Sequence, residues 1–439
     1  LSNPRDPFDT FDFGPMPAIV AAVSGGSDST ALLLLLKRHL DRIGSKAALL
    51  AVTVDHALRP ESAEEVAQVA RFAAGLGLAH RTVTWQGAKP STGLAAAARG
   101  ARYRLLAQEA ARIGATVIVT GHTADDQAET VAMRGARGDG RGMAGMAPAT
   151  LLDGSTWVLR PLLSTRREAL RNVLRKSGIG WSDDPSNDNP AYERVRTRAA
   201  LGRSADMDIF LEGARDAAAR REALGISAAE IIATHARMVA PGLVRLASAF
   251  ATATDRDAAL YALRILLSAM GGVTQLPDDA RAGALLERLG GGPFCATLSR
   301  NVTEHRKDGT FLLRERRGLP EPAGALPDQV WDGRFRLLRA GGAGEARVSA
   351  GDLREPISLE KAPDSVPPRL IRAALATLPV LYDDETRARS PGWTAIPVMA
   401  PWCDFLPCFD LAPARALGAL LGAPPPPDPP FAHHNVQSA

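Results

Sequence analysis

Ser24-Gly25-Gly26-Ser27-Asp28-Ser29-Thr30 follows an apolar run at residues 18–23 and leads into residues 29–40, where aliphatic side chains recur at helical spacing. A strand that ends in a Gly- and Ser-rich loop and passes straight into a helix is a phosphate cradle. Backbone N–H groups and the helix dipole converge there on an anion, and the glycines let the main chain approach it. Ser24, Ser27, Ser29 and Thr30 add hydroxyls. A Walker A loop would close on Gly-Lys-Ser/Thr, but Asp28 stands in that neighbourhood. A carboxylate beside phosphate calls for a divalent cation between them, so Mg2+ is expected with Asp28 as a ligand. The plain alternative is a Ser/Gly turn with Asp28 as a helix-end acid; the order strand, loop, helix argues against it.

Three more strand–helix units follow. Residues 47–54, 80–85 and 116–120 are strand-like, with helices expected from Ser62-Ala63-Glu64-Glu65, from residue 94 to 113, and within residues 122–126. Strands apolar on both faces belong in the middle of a helix-covered sheet. The expected fold class is therefore α/β, a doubly wound parallel sheet over residues 16–200 behind a tail of residues 1–15. A helical domain is expected at 201–305, with helices over 206–224, 227–238 and 255–270 and no strand before about Val302. A smaller mixed α+β domain is expected at 306–422 and a disordered Pro-rich tail at 423–439.

The 439 residues are 46% hydrophobic and 23% charged, which fits two or three globular domains and excludes wholesale disorder or a fibre. The longest aliphatic run, residues 31–36, is far below the ~20 residues of a membrane span. With three cysteines (Cys295, Cys403, Cys408) lacking Cys-x-x-Cys spacing and no secretory pattern near Asp6, Asp9 and Asp12, a cytoplasmic protein without a disulfide framework is expected. A net charge of +4 is too weak to prove an anionic partner. The run from Arg160 to Lys176 says more: Arg160, Arg166, Arg167, Arg171, Arg175 and Lys176 face one acid, Glu168, which is either a phosphate-contacting face or a solvated helix.

Four further blocks carry chemistry. Val54-Asp55-His56-Ala57-Leu58-Arg59 ends the second strand, where open α/β sheets bind nucleotides. Arg99, Arg102 and Tyr103 share a helix face. Gly121-His122-Thr123-Ala124-Asp125-Asp126-Gln127-Ala128-Glu129-Thr130 sets three carboxylates at the start of a helix, and Trp181-Ser182-Asp183-Asp184-Pro185-Ser186-Asn187 leads into Tyr192, Arg194, Arg196 and Arg198. The cradle resembles the loop of the N-type ATP pyrophosphatases, the PP-loop superfamily. With these blocks and Arg160-Pro161-Leu162-Leu163, residues 18–200 resemble the tRNA(Ile)-lysidine synthase family. The family's usual second His is Thr123 here, its usual Asn is Val195, and the Gly-rich stretch 137–146 is one residue short.

The resemblance implies a ligase that uses ATP to adenylate C2 of the wobble cytidine in an isoleucine tRNA (CAU anticodon), releasing pyrophosphate. The amine of free lysine then displaces AMP to form lysidine. It implies ATP contacts from residues 24–30 and His56, with Mg2+ held by Asp28 and, second, Asp126. Asp28, Arg99, His122, Asp125 and Asp126 are the catalytic candidates, and Arg160, Arg194, Arg196 and Arg198 the tRNA contacts. One of the two adjacent acids would receive lysine's ammonium, and a carboxylate or His122 would take its proton. Plainer readings exist for each: dipole-complementing acids for Asp125, Asp126 and Glu129, a surface arginine for Arg99, and structural histidines for His56 and His122. Arg194, Arg196 and Arg198 alternate, so in extended chain they would share a face toward RNA; in a helix they would scatter. A tRNA thiolase on the same loop is the nearest rival, disfavoured because residues 1–294 hold no cysteine. A non-enzymatic RNA-binding protein is a rival from another class. Beyond residue 200, Arg306, Lys307, Arg314, Arg316 and Arg317 are expected to grip tRNA phosphates, with no membrane contact.

Overall fold

The computed structural model describes residues 6–56, 62–87, 89–138, 140–182, 193–201, 204–351 and 366–432. Ala57, Leu58 and Arg59, the stretch Asp183 to Asn187, and Tyr192 lie outside the described residues. No described helix is long and apolar enough to cross a membrane.

The chain divides into two units, with the boundary inside a long helix between Arg221 and Glu222. In the first unit β1 (Ala18–Ala22), α1 (Ser27–Arg42), β2 (Ala48–Asp55), α2 (Ser62–Gly75), β3 (Ala79–Thr84), α3 (Leu94–Arg112), β4 (Val117–Thr120) and α4 (Ala124–Gly135) alternate. A hairpin of β5 (Ala149–Leu152) and β6 (Thr156–Leu159) follows, then α5 (Arg167–Lys176), α6 (Glu193–Ala200) and the boundary helix α7 (Ser204–His235). The strand Phe405–Pro407 returns to complete a seven-stranded sheet in the order Phe405–Pro407, β5, β6, β4, β1, β2, β3. β3, β2, β1, β4 and β6 are mutually parallel; β5 and Phe405–Pro407 form an antiparallel edge. This is the doubly wound sheet expected from the alternation of elements.

The centre is dry on both faces. Ile19, Val20, Ala21, Ala51, Ile118 and Val119 are all under 2% exposed; Val20 and Ile118 pack with Leu106 and Ala110 of α3, and Leu32, Leu33 and Leu36 of α1 are as fully buried. Full burial of each large aliphatic contributes roughly 1.5–3 kcal/mol, which explains why these strands carry no polar alternation. After β1 the chain runs outward through β2 and β3, then returns to place β4 on β1's other side. The carboxyl ends of β1 and β4 therefore flank a topological switch point, where a ligand crevice opens in such sheets.

The second unit, Glu222–Asp404 with Asp410–Pro426, is built on an antiparallel sheet of β7 (Ala236–Ala240), β8 (Leu243–Leu246), β9 (Phe294–Leu298), β10 (Asn301–Arg306) and β11 (Gly309–Arg314), in the order β7, β8, β11, β10, β9. Helix α8 (Arg256–Gly271) is almost wholly buried, and α9 (Asp279–Arg288) follows it. Two three-stranded sheets make up much of the remainder. The expectation of no strand before about Val302 is corrected by β7, β8 and β9. The helix expected over 227–238 runs into residues 236–238, which instead begin β7; Pro241-Gly242, with Gly242 at φ +73°, turns the chain back so that Leu243–Leu246 pairs with Ala236–Ala240. The helices expected over 206–224 and 227–238 are one, α7. A tight turn at Lys307-Asp308 joins β10 to β11, so the sheet runs unbroken across the 305/306 boundary expected from sequence.

Arg314 is corrected from a phosphate grip to an internal strut. It is 1% exposed and, with Arg334, bonds Asp332; its remaining donors go to main-chain carbonyls of Glu315, Arg317 and Gly318. Arg334 is pulled down to about 10 by burial, partly offset by Asp332. Lys307, Arg316 and Arg317 are exposed.

Candidate active site

The cradle is held by its own side chains. Ser29 Oγ donates to Gly26 O (3.1 Å) and accepts from Ser24 N–H (3.1 Å), while Thr30 Oγ1 donates to Gly25 O (3.4 Å). These two hydroxyls, expected to face phosphate, instead fix the loop's shape. Gly25 has φ +91°, a conformation open to glycine and costly for other residues. Gly26 is the N-cap of α1 and supplies no side-chain cap, so the first-turn amides of α1 keep the open N-terminus that binds anions. Across the crevice Gly121 comes so close to α1 that an added Cβ would lie 3.0 Å from Asp28 O and 3.1 Å from Ser29 Cα. That approach sets the loops after β1 and β4 against one another.

At the start of α4, Thr123 caps the helix in a reciprocal box with Asp126: Asp126 N–H donates to Thr123 Oγ1, and Thr123 N–H to Asp126 Oδ2 (2.8 Å). The Thr at the family's usual His position thus has a structural occupation. Asp126 Oδ1, its other oxygen, accepts from Arg167 Nη2 (3.0 Å) and Arg194 Nη2 (2.9 Å). Asp125 faces elsewhere, accepting the backbone N–H of Arg167 at 2.7 Å and so tying α5 to α4. Glu129, one turn on and 1% exposed, accepts from Arg194 Nε and Arg198 Nε, both at 2.7 Å, with Arg167 Nη1 at 3.6 Å. Asp28 Oδ2 completes the cluster, accepting from Arg167 Nε at 2.8 Å. Burial lifts the Asp28 carboxyl above its usual range and Asp126 adds to that, against the downward pull of Arg167.

A second group gathers around the guanidinium groups of Arg99, Arg102 and Arg160. His122, behind Thr120 Oγ1 (2.9 Å from Nδ1), is pushed well below the ordinary imidazole range by burial and by the fields of Arg160, Arg99, Arg194 and Arg102, which leaves it neutral at physiological pH. Tyr103 is 3% exposed; burial would raise its pKa, but Arg160, Arg99 and Arg102 outweigh that and lower it. Arg99 Nη2 bonds the Tyr103 hydroxyl at 3.3 Å, and Arg102 Nη2 lies 3.2 Å from His56 Nε2. His56 meets Trp85 edge-on, and its buried Nδ1 has no hydrogen-bond partner among the described residues.

One expectation about arginines is corrected, and one alternative left open by the sequence is decided. Arg160 is 5% exposed, and its Nη1 donates to Ala147 O (2.8 Å) and Thr150 Oγ1 (2.9 Å), so it braces the β5–β6 hairpin from inside and is not presented to RNA phosphate. Arg194, Arg196 and Arg198 lie on helix α6, not on extended chain, so the two-residue period does not align them. Spacing of four residues puts Arg194 and Arg198 together on Glu129.

Sequence reasoning passed over Glu129 and Arg167 as site residues. The signal for Glu129 was its i+3 spacing from Asp126 on one helix. Arg167 was one of six basic residues in a run, and nothing local marked it as the one that turns inward.

The chemistry of the donors suits a hard divalent cation: Asp28 and Asp126 stand on either side of a single guanidinium, so their oxygens already converge on one positive charge. Among the described residues, the trio of ligand atoms close enough to share an ion is Asp6, Asp9 and His39, at the far end of α1, where Arg42 bonds both carboxylates.

The PP-loop domain family matches residues 10–205. The chain is 52% identical over 432 residues to the tRNA(Ile)-lysidine synthase of Mesorhizobium japonicum, covering 95% of each chain. It is 38% identical over 440 residues to that of Brucella suis, covering 96% of this chain and 98% of the other. A solved U34-tRNA thiolase from Methanococcus maripaludis superposes only loosely, with TM-score 0.41 and 15% identity over 48% of this chain and 77% of that one. With half of its residues shared along nearly the whole length of a curated relative, and a PP-loop crevice in which the motif residues meet, this ATP-using chain belongs to the tRNA(Ile)-lysidine synthase family.

Proposed function

We propose that this enzyme ligates lysine to C2 of the wobble cytidine of isoleucine tRNA, through an adenylated tRNA, at the crevice between β1 and β4. One observation carries the reading: the crevice holds a carboxylate cluster, occupied by guanidinium groups, and a separate arginine group. Asp28, Asp126 and Glu129 gather on α1 and α4, while Arg99 and Arg102 gather with Tyr103 and His56 on the β2–α3 side. A reaction that joins a triphosphate, a cytidine and a cationic amine needs both halves.

In this reading the α1 amides and the Gly25–Ser27 main chain bind the β and γ phosphates, and Asp28 with Asp126 would hold Mg2+. When bound, the metal neutralises phosphate charge and polarises the leaving pyrophosphate. His56 offers its Nδ1, which has no partner among the described residues, to the adenine side. Arg99 and Arg102 stand where the α-phosphate passes to the cytidine oxygen, and a guanidinium fork stabilises that charge. Adenylation turns the C2 oxygen into a good leaving group, and the lysine amine displaces AMP. The cluster around Asp126 and Glu129 already binds cationic side chains, and lysine's ammonium is a cation of the same kind. Its proton goes to a cluster carboxylate, because burial and the surrounding arginines oppose protonation of His122. Lys307, Arg316 and Arg317 of the second unit supply phosphate contacts that hold tRNA without reading it.

The thiolase alternative asks for cysteines that carry sulfur or a cluster, and the first unit contains one, Cys408. The direct test is incubation with isoleucine tRNA, Mg-ATP and labelled lysine, followed by nucleoside analysis. Label on cytidine is the expected result; pyrophosphate release without labelled nucleoside would refute the assignment.

A further inference from the structure

Arg167 opens α5 but turns its side chain away from the solvent that a ten-residue basic helix would favour. Nε donates to Asp28 Oδ2 at 2.8 Å, Nη2 to Asp126 Oδ1 at 3.0 Å, and Nη1 stands 3.6 Å from Glu129 Oε1. The side chain is 16% exposed, and its own backbone N–H is fixed on Asp125 Oδ2. Of the next arginines of the helix, both Arg171 and Arg175 lie over the Trp181 ring, and Arg171 Nε also reaches Ser27 Oγ at 3.4 Å, but neither bonds Asp28 or Asp126 as Arg167 does. A fixed backbone with a long, pivoting side chain is suited to exchange partners without moving the helix.

Charge in the cluster balances without a metal. Asp28, Asp126 and Glu129 carry three negative charges against Arg167, Arg194 and Arg198. A bare divalent cation entering between Asp28 and Asp126 would meet a guanidinium already bonded to the same two carboxylates and would leave the cluster with excess positive charge. A nucleoside triphosphate brings the missing negative charge, and its oxygens accept a guanidinium fork as well as carboxylates do.

We infer that Arg167 is the resident counter-cation of the metal position: it spans Asp28 and Asp126 in the nucleotide-free enzyme, weakens binding of a bare divalent cation, and transfers to phosphate when nucleotide and metal enter together. This rests on the reading that Asp28 and Asp126 hold the metal. It makes Arg167 a positioning residue that imposes an order on binding, and the metal arrives with ATP, not before it.

The test is a titration of the full-length protein with Mn2+ in the absence of nucleotide, followed by electron paramagnetic resonance. Arg167→Gln should bind Mn2+ at least about tenfold more tightly than wild type, Arg167→Lys should fall between, and adding Asp28→Asn to Arg167→Gln should abolish the gain. A merely structural role for Arg167 would weaken metal binding or leave it unchanged. Should Arg167→Gln lack a cooperative melt, Arg167→Lys decides, since it keeps the charge and loses the fork. Mn2+ affinity equal to or below wild type in the folded variant overturns the inference. A parallel titration with Mn-ATP separates the two layers. If Asp28→Asn leaves Mn-ATP affinity intact, the metal assignment fails; if it destroys that affinity while Arg167→Gln leaves bare Mn2+ binding unchanged, only the counter-cation role fails.

Discussion

Glu129→Gln should release helix α6 from α4. The substitution keeps the shape of the side chain and removes its charge. Glu129 holds two short charge-assisted bonds, from Arg194 Nε and Arg198 Nε at 2.7 Å each, and it is itself 1% exposed. Such bonds contribute about 1.5–3 kcal/mol apiece. The glutamine oxygen retains one of them in weaker, neutral form, and its amide would point donors at the other arginine. Arg194 and Arg198 are 42% and 38% exposed, and solvent screening therefore moves the total to the low end. The net cost is about 2 kcal/mol, or about a 30-fold rise in the undocked population of α6. Hydrogen exchange should show faster amide exchange across Glu193–Ala200 with β1 and β4 unaffected, and tRNA-dependent pyrophosphate release should fall as the site loses Arg194. Unchanged exchange in α6 would mean that Glu129 does not anchor it, and the case for a single acid–guanidinium cluster would collapse.

Asp28→Ala should abolish tRNA-dependent pyrophosphate release with tRNA affinity near wild type; substantial residual release rules out the metal role. Adenylated tRNA should accumulate under acid quench when lysine is withheld, and its absence would require lysine before adenylation. Gly121→Ala should weaken ATP binding about 5- to 150-fold, because the new Cβ meets the backbone of Asp28 and Ser29 and overpacking of this kind costs about 1–3 kcal/mol; calorimetry with Mg-ATP measures it, and wild-type affinity would show that the loops have room to part. His122 has a depressed pKa in the folded state, so below about pH 6.5 the unfolded chain binds a proton that the native site refuses. Its stabilising contribution is whole above that pH and declines as pH falls. His56 and His80 shift in the same direction, and the comparison must therefore be differential: urea melts at pH 7.5, 6.5 and 5.5 should show a shallower loss for His122→Gln, by up to about 1.4 kcal/mol per pH unit. Parallel pH slopes would contradict the burial of a neutral ring.

The parallel sheet was legible because burial on both faces writes itself into consecutive apolar residues, as in Ile19-Val20-Ala21 and Val117-Ile118-Val119. The hairpin at 236–246 was not, since Met238-Val239-Ala240 continues a helical rhythm and only Pro241-Gly242 betrays the turn. Within the crevice, the loop and the Asp126 turn were visible as contiguous motifs. The guanidinium that joins them was not, because Arg167 lies 139 residues from Asp28 and 41 from Asp126, and no local pattern records a partner at that distance. Arg160 misled for the converse reason: a basic residue at the edge of a basic run looks solvent-facing until the fold buries it.

The antiparallel edge made by Phe405–Pro407 has a consequence for how the polypeptide is made. β5 reaches its outer neighbour through Leu152 opposite Phe405 and Thr150 opposite Pro407, segments separated by about 250 residues of chain. At about 5–20 residues per second of synthesis, the catalytic sheet waits on the order of 10–50 s with β5 as a bare edge, its N–H and C=O groups open to any other strand. A nascent chain in that interval is the species in which a chaperone has most to protect. A fragment stopped near residue 200 would carry the same bare edge permanently, so its aggregation would report on the missing strand before it reported on the loss of any tRNA grip.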